Sequence, residues 1–272
     1  MSRLTLDIYG KTDLGCVRER NEDNLIIDET LGLLVVADGM GGHNSGEVAS
    51  QTAVDTILQC ARQMLSGSKI IVPDGDHSRP VRSRQLEYMV QTANMMIFEK
   101  GRAFPKDHGM GTTVVAVLLD PKSLTVAHVG DSRLYRHRAG ALEQITDDHS
   151  LVMDQVRQGL ITREQAEHSN LQNILTRALG TEEKVVVDVA EHPVLPGDSF
   201  LLCSDGLTKM VSEADTAQAL ERCRTAQEAV DALIEAARGA GGVDNVTVVI
   251  ARVREAGGRI GGIFSRLLGR RP

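Results

Sequence analysis

Aspartates at the ends of predicted strands are the residues of this chain whose types and spacing could support chemistry. Asp38 follows the apolar run 33–37 and precedes a glycine-rich turn. Asp205 also follows an apolar run, Asp131 lies at the junction of two predicted strands, and Asp244 precedes the last predicted strand. Aspartate is common in turns, so each one alone could be an ordinary turn residue. Four of them in such positions favour a shared site.

A second group of charged residues lies in the segment 15–24, which is dense in charge and poor in apolar side chains. A predicted hairpin places its members Arg18, Glu22 and Asp23 beside the Asp38 turn. Carboxylates packed this closely raise one another's pKa unless cations neutralise them. Ligation by oxygen, with no cluster of Cys or His, favours Mg²⁺ or Mn²⁺ over Zn²⁺.

The glycine-rich turn after Asp38 fits neither common nucleotide-binding loop. A dinucleotide fingerprint requires Gly-x-Gly-x-x-Gly, but Asn44 stands at the sixth position counted from Gly39. Two later glycines have the spacing of a phosphate loop, yet Glu47 stands where that loop carries lysine. A turn bounded by two acids suits a hard divalent cation, which takes carboxylate and carbonyl oxygens. From this stretch alone, a tight turn with a helix-capping acid remains the alternative.

The predicted chemistry is hydrolysis of a phosphate ester. Two divalent ions about 3.5–4 Å apart lower the pKa of a shared water and hold the phosphoryl oxygens. Arginine binds phosphate bidentately, and Arg18 lies in the correct cluster for that contact. In this scheme a metal-bound hydroxide attacks phosphorus, so no Ser, Cys or His need act as nucleophile.

The elements that must position these residues are grouped by type along the chain rather than alternating. Apolar runs and period-2 alternation predict strands at 4–8, 25–27, 33–37, 112–119, 124–129, 133–137, 185–189, 200–203 and 246–253. Helical periodicity predicts helices over 45–65, from 86 onward, 213–222 and 226–238, while 66–84 reads as a loop insertion. The three strands between 112 and 137 form a predicted antiparallel meander. This grouping predicts an α+β fold with two or more antiparallel sheets and helices packed outside.

Composition limits both the organisation and the class of the protein. With 272 residues, 42% of them apolar, the chain can bury one sizeable core. The segment 254–272 contains five arginines and one acidic residue, so a domain 1–254 and a basic, flexible tail 255–272 are expected. A net charge of −7 and 3% aromatic residues argue against nucleic-acid binding. Four cysteines without C-x-x-C spacing, and no long apolar run, predict free thiols and a cytoplasmic protein.

The order of short motifs adds a resemblance to a known family. The motifs are residues 18–23, Asp38-Gly39-Met40-Gly41-Gly42-His43, Gly111-Thr112-Thr113, Gly130-Asp131-Ser132-Arg133, Asp147-Asp148-His149-Ser150, Ser204-Asp205-Gly206-Leu207 and Asp244-Asn245. Together they resemble the metal-dependent protein phosphatases of type 2C in their bacterial form, over roughly residues 5 to 253.

The resemblance implies a four-layer α-β-β-α sandwich of two antiparallel sheets flanked by helices, with a dinuclear site at one end. The ligand set that it implies is Asp38 bridging both metals, the carbonyl of Gly39 on one, Asp205 and Asp244 on the other, Glu22 and Asp23 acting through water, and Asp131 at a weaker third metal. Arg18 would bind the substrate phosphate, so the expected catalytic residues are Arg18, Asp38, Asp205 and Asp244. The segment 150–180 would form a flap over the site.

Two residues depart from the family's pattern. Met40 stands where animal relatives carry a histidine that donates a proton to the leaving oxygen, so either His43 or a metal-bound water must supply that proton. A helix-entry histidine such as His43 can equally be structural. Lys209 stands where an acid commonly supports the third metal, and a cation there predicts a weakened third site.

The resulting functional hypothesis is Mn²⁺- or Mg²⁺-dependent hydrolysis of phosphoserine and phosphothreonine in proteins, opposing a bacterial Ser/Thr kinase. Two alternatives are a regulatory phosphatase for an anti-sigma-factor antagonist and a phosphoprotein-binding scaffold without turnover. The expected partners are phosphoproteins and a kinase, with the enzyme itself a monomer. The tail combines Phe264 and Leu267 with flanking arginines, which suits a membrane surface, an acidic partner or a disordered end.

Overall fold

The structure is a computed structural model that describes residues 4–42, 45–65, 78–167 and 169–255. Most of the predicted loop 66–84, the tail after Glu255 and the candidate proton donor His43 lie outside the described residues.

Eleven strands in this part of the chain form two antiparallel sheets. The bounds are β1 Leu4–Asp13, β2 Asp23–Asp28, β3 Leu33–Met40, β4 Gly111–Thr112, β5 Val114–Leu119, β6 Ser123–Val129, β7 Arg133–Arg138, β8 Ala141–Gln144, β9 Asp188–Pro193, β10 Ser199–Cys203 and β11 Val246–Glu255. The first sheet has the order β1-β11-β10-β7-β8. The second has the order β2-β3-β5-β6-β9, and β4 pairs with β3.

Helices cover the outer face of each sheet. Their bounds are α1 Ser45–Leu65, α2 Val81–Ala103, α3 Leu151–Arg157, α4 Arg163–Glu167, α5 Asp205–Thr208, α6 Glu213–Arg222 and α7 Ala226–Gly239. Helices α1 and α2 share a buried apolar cluster with the second sheet. Helices α6 and α7 share one with the first sheet. The predicted α-β-β-α sandwich is therefore confirmed.

A third apolar cluster lies between the two sheets, and side-chain alternation decides which residues enter it. In β3, Leu34 and Val36 pack into this central cluster, while Leu33 and Val35 face the helices. In β11, Val249 and Ala251 belong to the central cluster. Because successive side chains on a strand point to opposite faces, each buried strand contributes to two cores.

Several sequence predictions were wrong at element boundaries. The loop predicted to end at residue 84 ends earlier, because α2 begins at Val81, directly after Pro80. Proline is well tolerated at a helix start, since it has no N–H to leave unbonded. The strand predicted over 185–189 lies instead at β9, and β8 was not predicted.

The predicted meander over 112–137 was also wrong in part. Strands β5 and β6 pair in the second sheet, but β7 pairs with β10 in the first. The chain therefore changes sheets between Val129 and Arg133, at the Gly130-Asp131-Ser132 turn, where Gly130 has a φ of 106°.

Two compositional expectations can be compared with the described residues. All four cysteines are free thiols, although Cys203 is the only buried one and Cys16 is exposed. None of the described helices has the length and apolar character that a transmembrane span requires.

Candidate active site

Register and alternation place Asp38 and Asp23 side by side between the sheets. Asp38 lies two residues beyond Val36, so it continues the face of β3 that points toward the other sheet. Asp23 lies directly opposite Asp38 in the β2–β3 pairing. Opposite residues of an antiparallel pair share a face, which brings two carboxylates to the same edge of the sandwich.

The first sheet contributes two hydroxyl groups that hold Asp23. Ser204, after β10, and Thr247, in β11, each donate a hydrogen bond of 2.7 Å to Asp23 Oδ2. Asp23 is only 4% exposed, and its second oxygen, Oδ1, is buried without a hydrogen-bond partner. A buried carboxylate oxygen without a donor is unfavourable in a protein interior, so a cation bound beside it would be stabilising.

Asp205 and Asp244 enter the same region from the first sheet. Asp205 begins α5 immediately after β10, and its Oδ1 is also buried without a partner, whereas Oδ2 lies 2.5 Å from Lys209 Nζ. Asp244 is held by Arg18, whose Nε and Nη2 lie 2.9 and 3.0 Å from Oδ1 and Oδ2. Lys209 Nζ lies 3.6 Å from the same Asp244 Oδ2.

Mutual repulsion shows that the predicted aspartates form one electrostatic group. Burial, followed by the charges of Asp23, Asp205, Asp131 and Asp244, raises the pKa of Asp38 well above its ordinary value. Burial, opposed by its two hydroxyl donors, raises the pKa of Asp23 to about 6. Burial and then Asp205 raise the pKa of Asp131 to about 7. Such shifts are expected where cations are required to neutralise neighbouring carboxylates.

These carboxylates do not close on one another as tightly as metal ligands would. Within the described ranges, no three of them bring one oxygen each within 4.8 Å of one another. The cations that lie among them are Lys209 and Arg18, which ion-pair with Asp205 and Asp244. Burial opposes the charge of Lys209, but the carboxylates outweigh it and raise the lysine pKa.

Backbone contacts fix the turn that carries Gly39. The Gly39 N–H donates to the Glu22 carbonyl at 3.1 Å. A Cβ at Gly39 would lie 2.1 Å from the Gly46 carbonyl oxygen and 2.6 Å from that of Glu22, so no larger residue fits. The Asp38 carbonyl accepts from Thr113 N–H and from the Thr112 hydroxyl, both at 2.8 Å.

Glu22 reaches this turn with its side chain. A Cβ at Gly46 would lie 2.7 Å from a Glu22 carboxylate oxygen, which places that carboxylate against the start of α1. Burial raises the pKa of Glu22, although Arg18 and the Gly46 N–H act in the opposite direction. The Met40 side chain packs against Gly111, and its thioether has no proton to donate.

Two aspartates elsewhere show what an ordinary turn carboxylate looks like in this protein. Asp120 accepts from the N–H groups of Lys122 and Ser123 at 2.7 and 2.9 Å, and these bonds outweigh burial and lower its pKa. Asp198 holds Arg138 with two contacts of 2.7 Å and accepts from the Leu195 N–H. Asp23, Asp38 and Asp131 differ in their raised pKa values, and Asp23 and Asp205 differ in having a buried oxygen without a hydrogen-bond partner.

Asn245 was not predicted to take part in the site, yet it connects its parts. Its Oδ1 accepts from the Glu22 N–H at 2.9 Å, and its Nδ2 donates to the carbonyls of Leu14 and Arg20 at 3.0 and 2.9 Å. The loop that carries Arg18 is therefore held at three points by the residue next to Asp244. The signal in the sequence was the Asp-Asn pair, but its partners are more than 220 residues away.

A histidine group that was not foreseen lies beside the sheet change. His128, His149 and Asp188 bring one ligand atom each within 4.8 Å of one another. His149 Nδ1 accepts from the Gly130 N–H at 3.1 Å, and its Nε2 lies 3.2 Å from Asp188. Burial, His128 and Arg177 lower the pKa of His149 to about 4. The neutral ring thus supports the turn that carries Asp131.

A cavity of about 620 Å³ lies between the site aspartates and the predicted flap, and residues of both line it. Asp131, Asp205 and Lys209 line it, together with residues of α3 and α4, among them Met153 and Arg163. The space is large enough for a peptide side chain next to the aspartates.

The structure thus brings together all of the predicted site residues: Arg18, Glu22, Asp23, Asp38, Gly39, Asp131, Asp205 and Asp244. It adds Ser204, Thr247, Asn245 and Thr113, which position them, and it places Lys209 among the predicted ligands.

Comparison with known proteins defines the family. The family model described as protein phosphatase 2C matches residues 18–238. A serine/threonine phosphatase stp of Listeria innocua is 38% identical, over 88% of this chain and 93% of that protein. The crystal structure of the Mycobacterium tuberculosis serine/threonine phosphatase PstP/Ppp has a TM-score of 0.80 at 36% identity, covering 92% of this chain and 99% of that chain. The chain belongs to the protein phosphatase 2C family.

The chain therefore falls in the class of the metal-dependent serine/threonine phosphatases. A crystal structure of the catalytic domain of the phosphatase PstP in complex with two manganese ions has a TM-score of 0.79 at 36% identity, covering 93% of this chain and all of that chain.

Proposed function

We propose that this chain hydrolyses phosphoserine and phosphothreonine in proteins at the aspartate cluster between the two sheets. The observation that carries the proposal is the pair of buried, unpartnered oxygens, Asp23 Oδ1 and Asp205 Oδ1, within a group of mutually repelling carboxylates. Cations satisfy both the missing partners and the excess negative charge.

The donor set suits Mn²⁺ or Mg²⁺, since every proposed ligand atom is oxygen. Asp38 would bridge the two ions and the Gly39 carbonyl would bind one, because Asp38 lies centrally in the cluster and Gly39 follows it directly. Asp205 and Asp244 would hold the other ion. Glu22 and Asp23 would complete the set through intervening water, and Asp131 would serve a third, weaker site. When bound, the ions lower the pKa of water and neutralise the phosphoryl oxygens.

Arg18 is the proposed phosphate ligand. Its guanidinium already makes a bidentate contact with a carboxylate, Asp244, and half of its side chain, 52%, is exposed. Two oxygens of a tetrahedral phosphate can accept from a guanidinium in the same bidentate way as a carboxylate, so a phosphate can replace Asp244 as the partner. Asn245 keeps the Arg18 loop next to this position, so the arginine can exchange partners without leaving the site.

The protonation of the leaving oxygen is assigned to His43 or to water at the cations, since Met40 cannot donate a proton. The substrate-facing cavity beside the flap would accept the residues next to the phosphorylated side chain.

The proposed setting is the cytoplasm of a bacterium, where the enzyme opposes a Ser/Thr kinase as a monomer. The arginine-rich tail is proposed to contact an anionic surface, either a membrane or an acidic partner. Dedicated action on an anti-sigma-factor antagonist remains the alternative substrate assignment, and only substrate profiling separates it from a kinase-opposing enzyme.

The test uses full-length protein stripped with EDTA and then supplied with Mn²⁺. Hydrolysis of a phosphothreonine peptide should require the added Mn²⁺ and should be lost in Asp38→Asn. Asp120→Asn is the matched control, because it removes the charge of a turn aspartate away from the cluster, and it should retain activity. Turnover in EDTA would contradict the metal centre. Phosphopeptide binding without turnover in saturating Mn²⁺ would instead support the scaffold alternative.

A further inference from the structure

Lys209 places a positively charged side chain among the proposed metal ligands, where the proposed function does not require one. It follows α5 directly, and its N–H bonds to the Asp205 carbonyl at 2.9 Å, so its backbone is fixed one helical turn after Asp205. Its Nζ lies 2.5 Å from Asp205 Oδ2 and 3.6 Å from Asp244 Oδ2. One ammonium group therefore contacts two carboxylates that are proposed to share a metal ion.

The environment makes this contact stronger than an ordinary surface ion pair. The Lys209 side chain is 28% exposed, and those of Asp205 and Asp244 are 17% and 19% exposed. Partly buried charges are screened less by water and salt than exposed ones. The carboxylates repel one another, so a cation between them also removes part of that repulsion.

Arg18 does not duplicate this role. It contacts Asp244 alone among the proposed ligands, from a side chain that is 52% exposed. Asp205 depends on Lys209 for charge neutralisation, since its other oxygen has no hydrogen-bond partner.

We propose that Lys209 is a built-in counter-cation that stabilises the metal-free protein and competes with a divalent ion for Asp205 and Asp244. This inference rests on the proposed metal centre. A metal ion at these two carboxylates must displace the ammonium or share them with it, and either event opposes binding. The enzyme would then respond to changes in metal concentration over a higher range than it would without the lysine.

The experiment compares Lys209→Met, which keeps the length of the aliphatic chain and removes the charge, with Lys209→Arg, which keeps the charge. Lys11→Met is the matched control, because it removes the cation of a Lys11–Asp231 pair at 3.0 Å away from the site. Mn²⁺ binding to EDTA-stripped, full-length protein is measured by calorimetry, and the thermal midpoint is measured in EDTA.

Lys209→Met should bind Mn²⁺ about tenfold more tightly than wild type, because one nearby positive charge has been removed. The same variant should have a lower thermal midpoint in EDTA, whereas Lys209→Arg and Lys11→Met should keep the wild-type affinity. If Lys209→Met does not fold, Lys209→Gln, which keeps a hydrogen-bond donor, replaces it.

Equal Mn²⁺ affinity in Lys209→Met and Lys11→Met would overturn the role of Lys209 while leaving the metal centre intact. A wild-type protein that binds no Mn²⁺ at millimolar concentration would overturn the proposed metal centre, and this inference with it.

Discussion

Asp23 and Asp38 lie directly opposite each other on β2 and β3, so two carboxylates share one face at the edge of the sandwich. The pair comes from the second sheet, whereas the hydroxyl groups that hold Asp23 come from the first. The carboxylate pair therefore lies where the two sheets meet.

The pair predicts an unusual pH dependence for the metal-free protein. The folded-state pKa of Asp23, about 6, lies above its ordinary value of 3.8, so ionisation is less favourable in the folded state. Stability contributed by the protonated form is present below the unfolded pKa and is lost as the pH rises from about 4 to about 6. The free energy of unfolding of Asp23→Asn, relative to that of wild type, should therefore rise by about 2 kcal/mol between pH 4.5 and pH 7.5.

Urea unfolding in EDTA at both pH values measures this difference. Asp120→Asn is the control: the pKa of Asp120 is lowered, so the stability from its carboxylate is lost only as the pH falls below its ordinary value of 3.8, and its difference from wild type should stay nearly constant between the two pH values. A difference between Asp23→Asn and wild type that does not change with pH would contradict the prediction.

Asn245→Asp should misplace the Arg18 loop. Aspartate can still accept from the Glu22 N–H, but it cannot donate to the carbonyls of Leu14 and Arg20, and it adds a negative charge to the cluster. We expect kcat/KM for a phosphothreonine peptide to fall by about 10- to 100-fold, because each buried group that is left without a hydrogen-bond partner costs about 1–3 kcal/mol. A loss of thermal stability with unchanged kcat/KM would show that Asn245 is only structural.

Gly39→Ala should disrupt the turn itself. The new Cβ would lie 2.1 Å from a backbone oxygen of Gly46, which cannot move as a side chain could. A loss of at least about 2 kcal/mol in the free energy of unfolding is expected, together with loss of activity. Gly239→Ala is the control, because nothing lies within 4 Å of its added Cβ and alanine favours a helix. Equal stability of the two variants would refute the close approach.

Arg18→Ala should affect substrate binding more than turnover. A charged, bidentate contact to phosphate is expected to raise KM about tenfold when lost, with a smaller change in kcat. Arg20→Ala removes an exposed arginine of the same loop and should leave both constants close to wild type. Steady-state kinetics with one phosphothreonine peptide distinguish these outcomes, and a fall in kcat alone would argue against phosphate binding by Arg18.

Removal of the tail after Glu255 tests the proposed anionic surface. Full-length protein should float with vesicles that contain phosphatidylserine, and the truncated protein should not, since each arginine near such a surface contributes about 1 kcal/mol. High salt should reduce the flotation. Equal flotation of both forms would eliminate the membrane assignment.

The sequence was sufficient where local periodicity and position agree. The continuous apolar run 33–37 predicted a buried strand that leads into Asp38, and the helical stripes predicted α1, α6 and α7 closely. The strand-end rule therefore selected Asp38, Asp205 and Asp244 without knowledge of any contact, and the structure places them in one electrostatic group.

The sequence was insufficient to predict the features of the fold and site that depend on pairing between distant segments. The prediction of a three-stranded meander was wrong at Asp131, because the chain leaves the second sheet at this turn and β7 pairs in the first sheet. The residues between 112 and 137 contain no local pattern that indicates this change of sheet. The His128 group arises because the β6–β9 register sets His128 opposite Asp188, 60 residues later. The partners of Asn245 and Lys209 likewise depend on tertiary geometry rather than on neighbouring letters.

The position of the site between two separate sheets has a thermodynamic consequence. The proposed ligands are divided between the sheets, with Asp38 in the second and Asp205 and Asp244 attached to the first. Ions bound there would be lost whenever the sheets separate, so their binding free energy would be added to the global unfolding reaction rather than to a local opening. Mn²⁺ should then slow amide hydrogen exchange deep in both sheets at once, far from the aspartates themselves.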